Sequence, residues 1–162
     1  MKMSKSIFVS LLFIFYGLLF YTYFILPENV AVHFSLGGDS NGWMSKIAYL
    51  ITFSFLGTFT PLLTIRLFYK FRYSPKDTIN IPNRDYWLTP ERIQQTISDL
   101  MNYGIWFASV TLFIFIGVGF LILDANLHPN VHKFPFEYGI VVLLFPPAIL
   151  SWKFIRHFKI TA

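Results

Sequence analysis

Residues 7–26 read Ile7-Phe-Val-Ser-Leu-Leu-Phe-Ile-Phe-Tyr-Gly-Leu-Leu-Phe-Tyr-Thr-Tyr-Phe-Ile-Leu26, an uncharged run that ends at Pro27. At a rise of about 1.5 Å per residue, a helix of this length crosses the hydrocarbon core of a bilayer, about 30 Å thick. Lys2 and Lys5 precede the run as they would in a signal peptide. The run is longer than a signal-peptide core, however, and no small-x-small cleavage pattern follows it. It is expected to be retained as a membrane helix.

Three more apolar runs follow. Ile47 to Ile65 is uncharged, and Arg66 after it can snorkel while Leu67 and Phe68 stay in lipid, giving a second span at 47–68 with a kink expected at Pro61. The third span is expected at 104–123, bounded by Asp124, and the fourth at 134–154, with Glu137 near its start. Pro146 and Pro147 are expected to kink or break the fourth helix, because each removes a backbone donor. Composition agrees: 55% of the chain is apolar, 20% aromatic and 13% charged. A soluble domain carries about 25% charge, so too little polar surface is left here to face water all round.

The net charge of +5 comes from Lys and Arg that flank the apolar runs rather than cluster on one soluble face, which argues against nucleic acid as a partner. Their distribution also orients the bundle, because positively charged loops stay in the cytoplasm. Eleven fall before the first span, between the second and third, or after the fourth, and only Lys46 and Lys133 fall on the other side. Both termini are therefore expected inside, with 27–46 and 124–136 outside. The absence of Cys removes disulfides and thiol chemistry.

The long inner segment contains Thr89-Pro90-Glu91, a helix-start pattern, followed by Ile93, Ile97, Leu100 and Met101 on one stripe. This predicts an amphipathic helix over about 90–103 that lies on, or rises obliquely from, the cytoplasmic membrane surface before joining the third span at Gly104. The expected fold is an all-α membrane protein: a single domain over 1–162, built as a four-helix transmembrane bundle with one cytoplasmic amphipathic helix.

In the outer loop, Val30, Val32 and Phe34 alternate with Ala31, His33 and Ser35, and Gly37-Gly38-Asp39 supplies a turn. His33 and Asp39 have the chemistry to hydrogen-bond a peptide, shuttle a proton or ligate a metal. Alternatively His33 bonds a backbone carbonyl and Asp39 caps the turn. The second outer loop adds Asp124, His128 and His132 at four-residue spacing, interrupted by Pro129. A divalent-metal site would use His33, Asp39, His128 and His132, whereas the leading expectation is no cofactor.

On the inner side, Asn83, Arg84, Asp85, Tyr86, Trp87, Glu91 and Arg92 form a dense polar and aromatic cluster. It reads as a docking site for a protein partner, as a structured plug against the bundle, or as an interfacial belt with local ion pairs. None of the four apolar cores holds an Asp, Glu, Lys or His, the residues that mark many ion pathways, and no hydrolase or phosphate-binding motif appears.

Leu26-Pro27-x-x-Val30-x-x-His33-Phe34-x-x-x-Gly38-x-x-x-Gly42, with Ser45-Lys46 opening the next helix, resembles the short bacterial membrane domain of unknown function (family 1648) that forms the amino-terminal part of SdpI-like immunity proteins. The run from Asn80 to Arg92 is similar to a segment of stand-alone relatives of that domain, and the likeness spans roughly residues 8–123. The larger carboxy-terminal domain of SdpI-like proteins has no counterpart in these residues, so a stand-alone form is expected. The resemblance implies a bacterial inner-membrane protein related to immunity against a secreted toxic peptide, or to envelope signalling. It also implies an outer loop carrying His33 and Phe34, and these two with Gly38 and Asp39 of the same loop are the candidate ligand-binding residues. The expected protein is non-enzymatic, with lipid around it, a peptide ligand outside, a protein partner inside, and room for a homo-oligomer. The competing class is a small metal-dependent membrane enzyme or carrier.

Overall fold

The computed structural model describes residues 2–35, 37–129 and 136–159. Helix α1 spans Lys2–Ile25, and a two-stranded antiparallel hairpin of β1 (Asn29–Phe34) and β2 (Ser40–Ser45) leads into α2 (Lys46–Lys70). A 3₁₀ turn (Lys76–Thr78) and the one-turn helix α3 (Arg84–Trp87) precede α4 (Ile93–Leu127), and α5 (Phe136–Phe158) follows. Four helices are long and apolar enough to cross a membrane. The large side chains left on the outside are those lipid would cover, such as Phe13 and Phe20 on α1, Phe55 on α2 and Phe145 on α5.

Helix α4 is the centre of the bundle and packs against α1, α2 and α5. Its buried residues, among them Ile105, Ala108, Leu112, Ile116 and Leu123, recur at helical spacing. Small residues let its neighbours approach: Gly104 lies against Phe68 of α2, Gly117 against Val142 of α5, and Gly119 against Leu18 of α1 and Phe53 of α2. Membrane interfaces favour such residues because lipid gives helices little hydrophobic reason to associate, and close van der Waals packing must supply it. An aromatic cluster fills the middle. Phe15 is fully buried, 6.0 Å from Phe53, which is itself 5.5 Å from Phe115 and stacked on Tyr49 at 5.2 Å. Hydroxyls within the spans bond back to their own helices, as Thr22 does to the Leu19 carbonyl (2.9 Å) and Ser109 to that of Ile105 (2.8 Å). In lipid this is the nearest acceptor a hydroxyl can find.

Three expectations need amending. The protein is not wholly α-helical, because residues 29–34 pair with residues 40–45 as a hairpin. The amphipathic helix expected over 90–103 is not a separate element, since residues 93–103 run without a break into the third span and α4 is one helix of 35 residues. Gly104, the expected joint, is instead where Phe68 packs against the helix backbone. Nor do Pro146 and Pro147 break α5, which is helical on both sides of them. Proline keeps a φ compatible with a helix, and membrane helices tolerate its missing donor where surrounding structure compensates.

Gly57 and Gly17 provide a matched pair for testing this packing. A Cβ on Gly57 would run into the ring of Phe15, whereas one on Gly17 meets nothing within 4 Å. Gly57→Ala is expected to destabilise the bundle by about 1–3 kcal/mol through overpacking. Gly17→Ala should be neutral or slightly stabilising, because alanine is the better helix former. Thermal unfolding of both variants in one detergent checks the difference, and equal melting temperatures would contradict this packing.

Candidate functional site

The hairpin closes one end of the bundle. Ser35 N–H donates to the Asp39 carbonyl (2.8 Å) and Gly38 N–H to that of Ser35 (2.9 Å), with Gly38 at φ 83° taking the left-handed conformation the turn requires. Strand pairing slips between Ala31 and His33 and again between His33 and Phe34, so His33 sits opposite Gly42. A Cβ on Gly42 would lie 2.9 Å from that of His33, so only glycine leaves room for the imidazole there. Val30 and Ala31 are buried, Val32 and Phe34 half-buried, and His33 exposed, in line with the expected alternation except at Ala31. The four candidate ligand-binding residues, His33, Phe34, Gly38 and Asp39, thus share the turn end of one hairpin.

Two side chains hold this hairpin down: Asn126, not singled out from the sequence, and Lys46, noted there only for its charge and as the opening of the next helix. The Asn126 carboxamide, in the last turn of α4, accepts from Ala31 N–H (2.8 Å) and donates to Ala31 C=O (2.9 Å), with a further bond to the Ile122 carbonyl (2.8 Å). It meets β1 as a neighbouring strand would and covers an edge that would otherwise present unpaired backbone groups. Lys46, largely buried, donates from Nζ to the Leu26 carbonyl at the end of α1 (3.3 Å) and pairs with Glu28 at 2.7 Å, while its backbone N–H reaches the Glu28 carbonyl (2.8 Å). Ser45 accepts from Ala48 N–H and caps α2. The sequence signal for Asn126 was a lone carboxamide closing an apolar helix. Nothing local to it names Ala31 as its partner.

At the same end, His128 Nδ1 lies 3.1 Å from Asp124 Oδ1, both partly exposed. Of the proposed metal ligands, His132 lies outside the described residues, and among the described residues no three His, Asp or Glu side chains converge as a metal site would require.

At the opposite end, the segment 71–92 is pinned to the last turn of α5. Asn83, left-handed at φ 50°, donates from Nδ2 to the Phe158 carbonyl (3.1 Å), and Trp87 Nε1 donates to the same oxygen (2.8 Å). Two side chains thereby satisfy a carbonyl that the end of a helix leaves without a partner. Trp87 also stacks on His157 (5.8 Å between ring centres), whose Nε2 is 3.3 Å from Asp99, and Thr96 donates to the Trp87 carbonyl (2.8 Å). Ile79, Ile81, Leu88, Leu100 and Phe158 form a second small core beneath this latch. Within the candidate docking cluster, Asn83 and Trp87 therefore make internal bonds. Arg84, Asp85, Tyr86, Glu91 and Arg92 remain exposed, with the Arg92 guanidinium 4.0 Å over the Tyr86 ring. A hydrogen bond from its own backbone N–H holds the Glu91 carboxyl below the usual carboxylate range.

Residues 9–57 match the family described as Domain of unknown function (DUF1648). The DUF1648 segment covers most of α1, the whole hairpin and the first half of α2. It therefore includes His33, Gly42 and Lys46, whereas Asn126 and the latch at the other end lie beyond it. Neither a curated protein nor a solved structure matches the chain.

Removing Asn126 tests the clamp. Asn126→Ala leaves both polar groups of Ala31 without their described partner, at about 1–3 kcal/mol of local stability. The expected result is faster hydrogen–deuterium exchange at Ala31, with exchange in the centres of α1 and α2 unchanged. Uniformly faster exchange across the bundle would mean that Asn126 supports the whole fold.

Proposed function

We propose that this is a non-enzymatic multi-pass protein of the bacterial cytoplasmic membrane that uses its hairpin to sense or block a secreted peptide on the outer face. In this reading the termini and the segment 71–92 are cytoplasmic, and the protein serves peptide immunity or envelope signalling. The observation that carries it is the way the hairpin is attached. Asn126 and Lys46 hold it mainly through backbone groups, which leaves the His33 imidazole and the Trp43 ring, 58% exposed, as fixed features of an outward surface. An exposed Trp and an exposed His displayed on one fastened hairpin have the composition of a recognition surface, because both gain contact area at little loss of conformational freedom. On the inner side, Arg84, Asp85, Tyr86, Glu91 and Arg92 are available to a protein partner, held in place by the latch beneath them.

Charge supports the orientation. The end that holds the termini and the segment 71–92 carries eleven Lys and Arg against four acids, and the hairpin end carries two against four. Because the chain has no Cys, single-cysteine labelling is clean. A membrane-impermeant thiol reagent on intact cells should modify Ser40→Cys and Asn130→Cys and spare Ser74→Cys. Labelling of Ser74→Cys alone would invert the topology.

His33 is the test of function. Cells expressing the wild type should survive secreted antimicrobial peptides better than cells with an empty vector. His33→Ala should fall to the vector level while the purified protein keeps its melting temperature. Survival no better than the vector in wild type sinks the immunity reading. Retained survival with stability lowered by about 1–3 kcal/mol would make His33 a fastener of the hairpin.

A further inference from the structure

Where α4 and α5 meet beside the latch there is a cleft of about 350 Å³. Its polar lining is Asp99, Asn102, Lys153 and His157, and its apolar lining is Tyr103, Trp106 and Leu150. The volume is at the low end of the range for small-molecule sites, about 300–1,000 Å³, and suits a head group rather than a whole lipid. The cleft also sits where head groups are. Trp106 lines it, Arg156 lies 5.1 Å over the ring of Trp152 on the same turn of α5, and such pairings of Trp with basic residues gather at the membrane–water boundary.

Its charges have a distinctive arrangement. Lys153 is exposed and forms no ion pair among the described residues, so its ammonium is available to an anion. Asp99 is partly shielded, and each of its oxygens has one partner, Gln95 Nε2 at 2.8 Å and His157 Nε2 at 3.3 Å. A carboxylate can accept about four hydrogen bonds, so acceptor capacity remains. Tyr103 O–H, donating to the Lys153 carbonyl at 3.4 Å, ties the two helices together at the cleft wall.

A cation and an acceptor facing one interfacial cleft match a ligand that carries a phosphodiester and a primary ammonium a few bonds apart. We propose that the cleft binds a phospholipid with a primary-amine head group, of the phosphatidylethanolamine kind, its phosphate on Lys153 and its ammonium on Asp99. A purely anionic head group satisfies Lys153 but faces the Asp99 charge. A choline head group has no N–H to give to Asp99. The acyl chains leave past Trp106 into the bilayer. Since Asp99 and His157 also hold the latch, the bound head group is one hydrogen bond away from the segment 71–92.

The test uses the full chain in detergent, delipidated and titrated with short-chain phosphatidylethanolamine, phosphatidylglycerol or phosphatidylcholine, with occupancy read by native mass spectrometry. Inorganic phosphate serves as the tail-free control. The ethanolamine lipid is expected to bind about tenfold or more tightly than the choline lipid, the effect of one charge-assisted hydrogen bond. Lys153→Gln should weaken it by a similar factor, while Lys76→Gln, the same charge change away from the cleft, should not. Asp99→Asn should remove the preference for ethanolamine over glycerol head groups. Equal affinity for the three lipids, preference for the glycerol lipid, competition by free phosphate alone, or equal weakening by Lys76→Gln and Lys153→Gln would each overturn the assignment. Should Asp99→Asn fold poorly, the two lysine variants still decide the question.

Discussion

A backbone carbonyl at the end of a membrane helix has no intrahelical donor, and close to lipid it has little water to turn to. This chain meets that constraint with side chains from distant segments. Lys46 donates to the Leu26 carbonyl after α1, and Asn83 and Trp87 both donate to Phe158 at the end of α5. Asn126 does the same for an exposed strand edge, answering both polar groups of Ala31. Each contact lies outside the apolar core, yet each fixes where the connecting segments sit. The hairpin and the latch are ordered because polar backbone groups needed partners, and the side chains displayed on them are positioned as a result.

The spans themselves were legible because a continuous apolar run of membrane length has few alternative readings. α1, for example, begins among Lys2 and Lys5 and stops at Ile25, next to Pro27. Where two rules compete, the reading is less secure. Thr89-Pro90-Glu91 has the composition of a helix start, but the helix begins at Ile93, with Thr89 accepting from the N–H groups of Arg92 and Ile93. Gly104 reads locally as a break, and only its contact with Phe68, far along the chain, accounts for its presence inside an unbroken helix.

The hairpin was half legible. Alternation over Val30, Val32 and Phe34 and the turn at Gly37-Gly38-Asp39 are local signals, but β2, Ser-Asn-Gly-Trp-Met-Ser, has little intrinsic preference for a strand. It is extended because β1 is already fixed and Gly42 accommodates His33. The inner cluster divides between two of its readings. Its density of Asn, Trp and charge suggested a surface made for a partner or a plug against the bundle, and the structure divides it between residues that bond inward, Asn83 and Trp87, and residues that stay on the surface.

The unbroken course of α4 has a mechanical consequence. From Thr96, bonded to the latch, to Asn126, bonded to the hairpin, is thirty residues of one helix, about 45 Å of rod at 1.5 Å per residue. No proline interrupts it, and its glycines are wedged against neighbouring helices. A rod that bends little transmits tilt and axial rotation from one end to the other. Any force that shifts the hairpin relative to the bundle is therefore delivered across the bilayer to the seat of Trp87, with no relay of intermediate side chains needed.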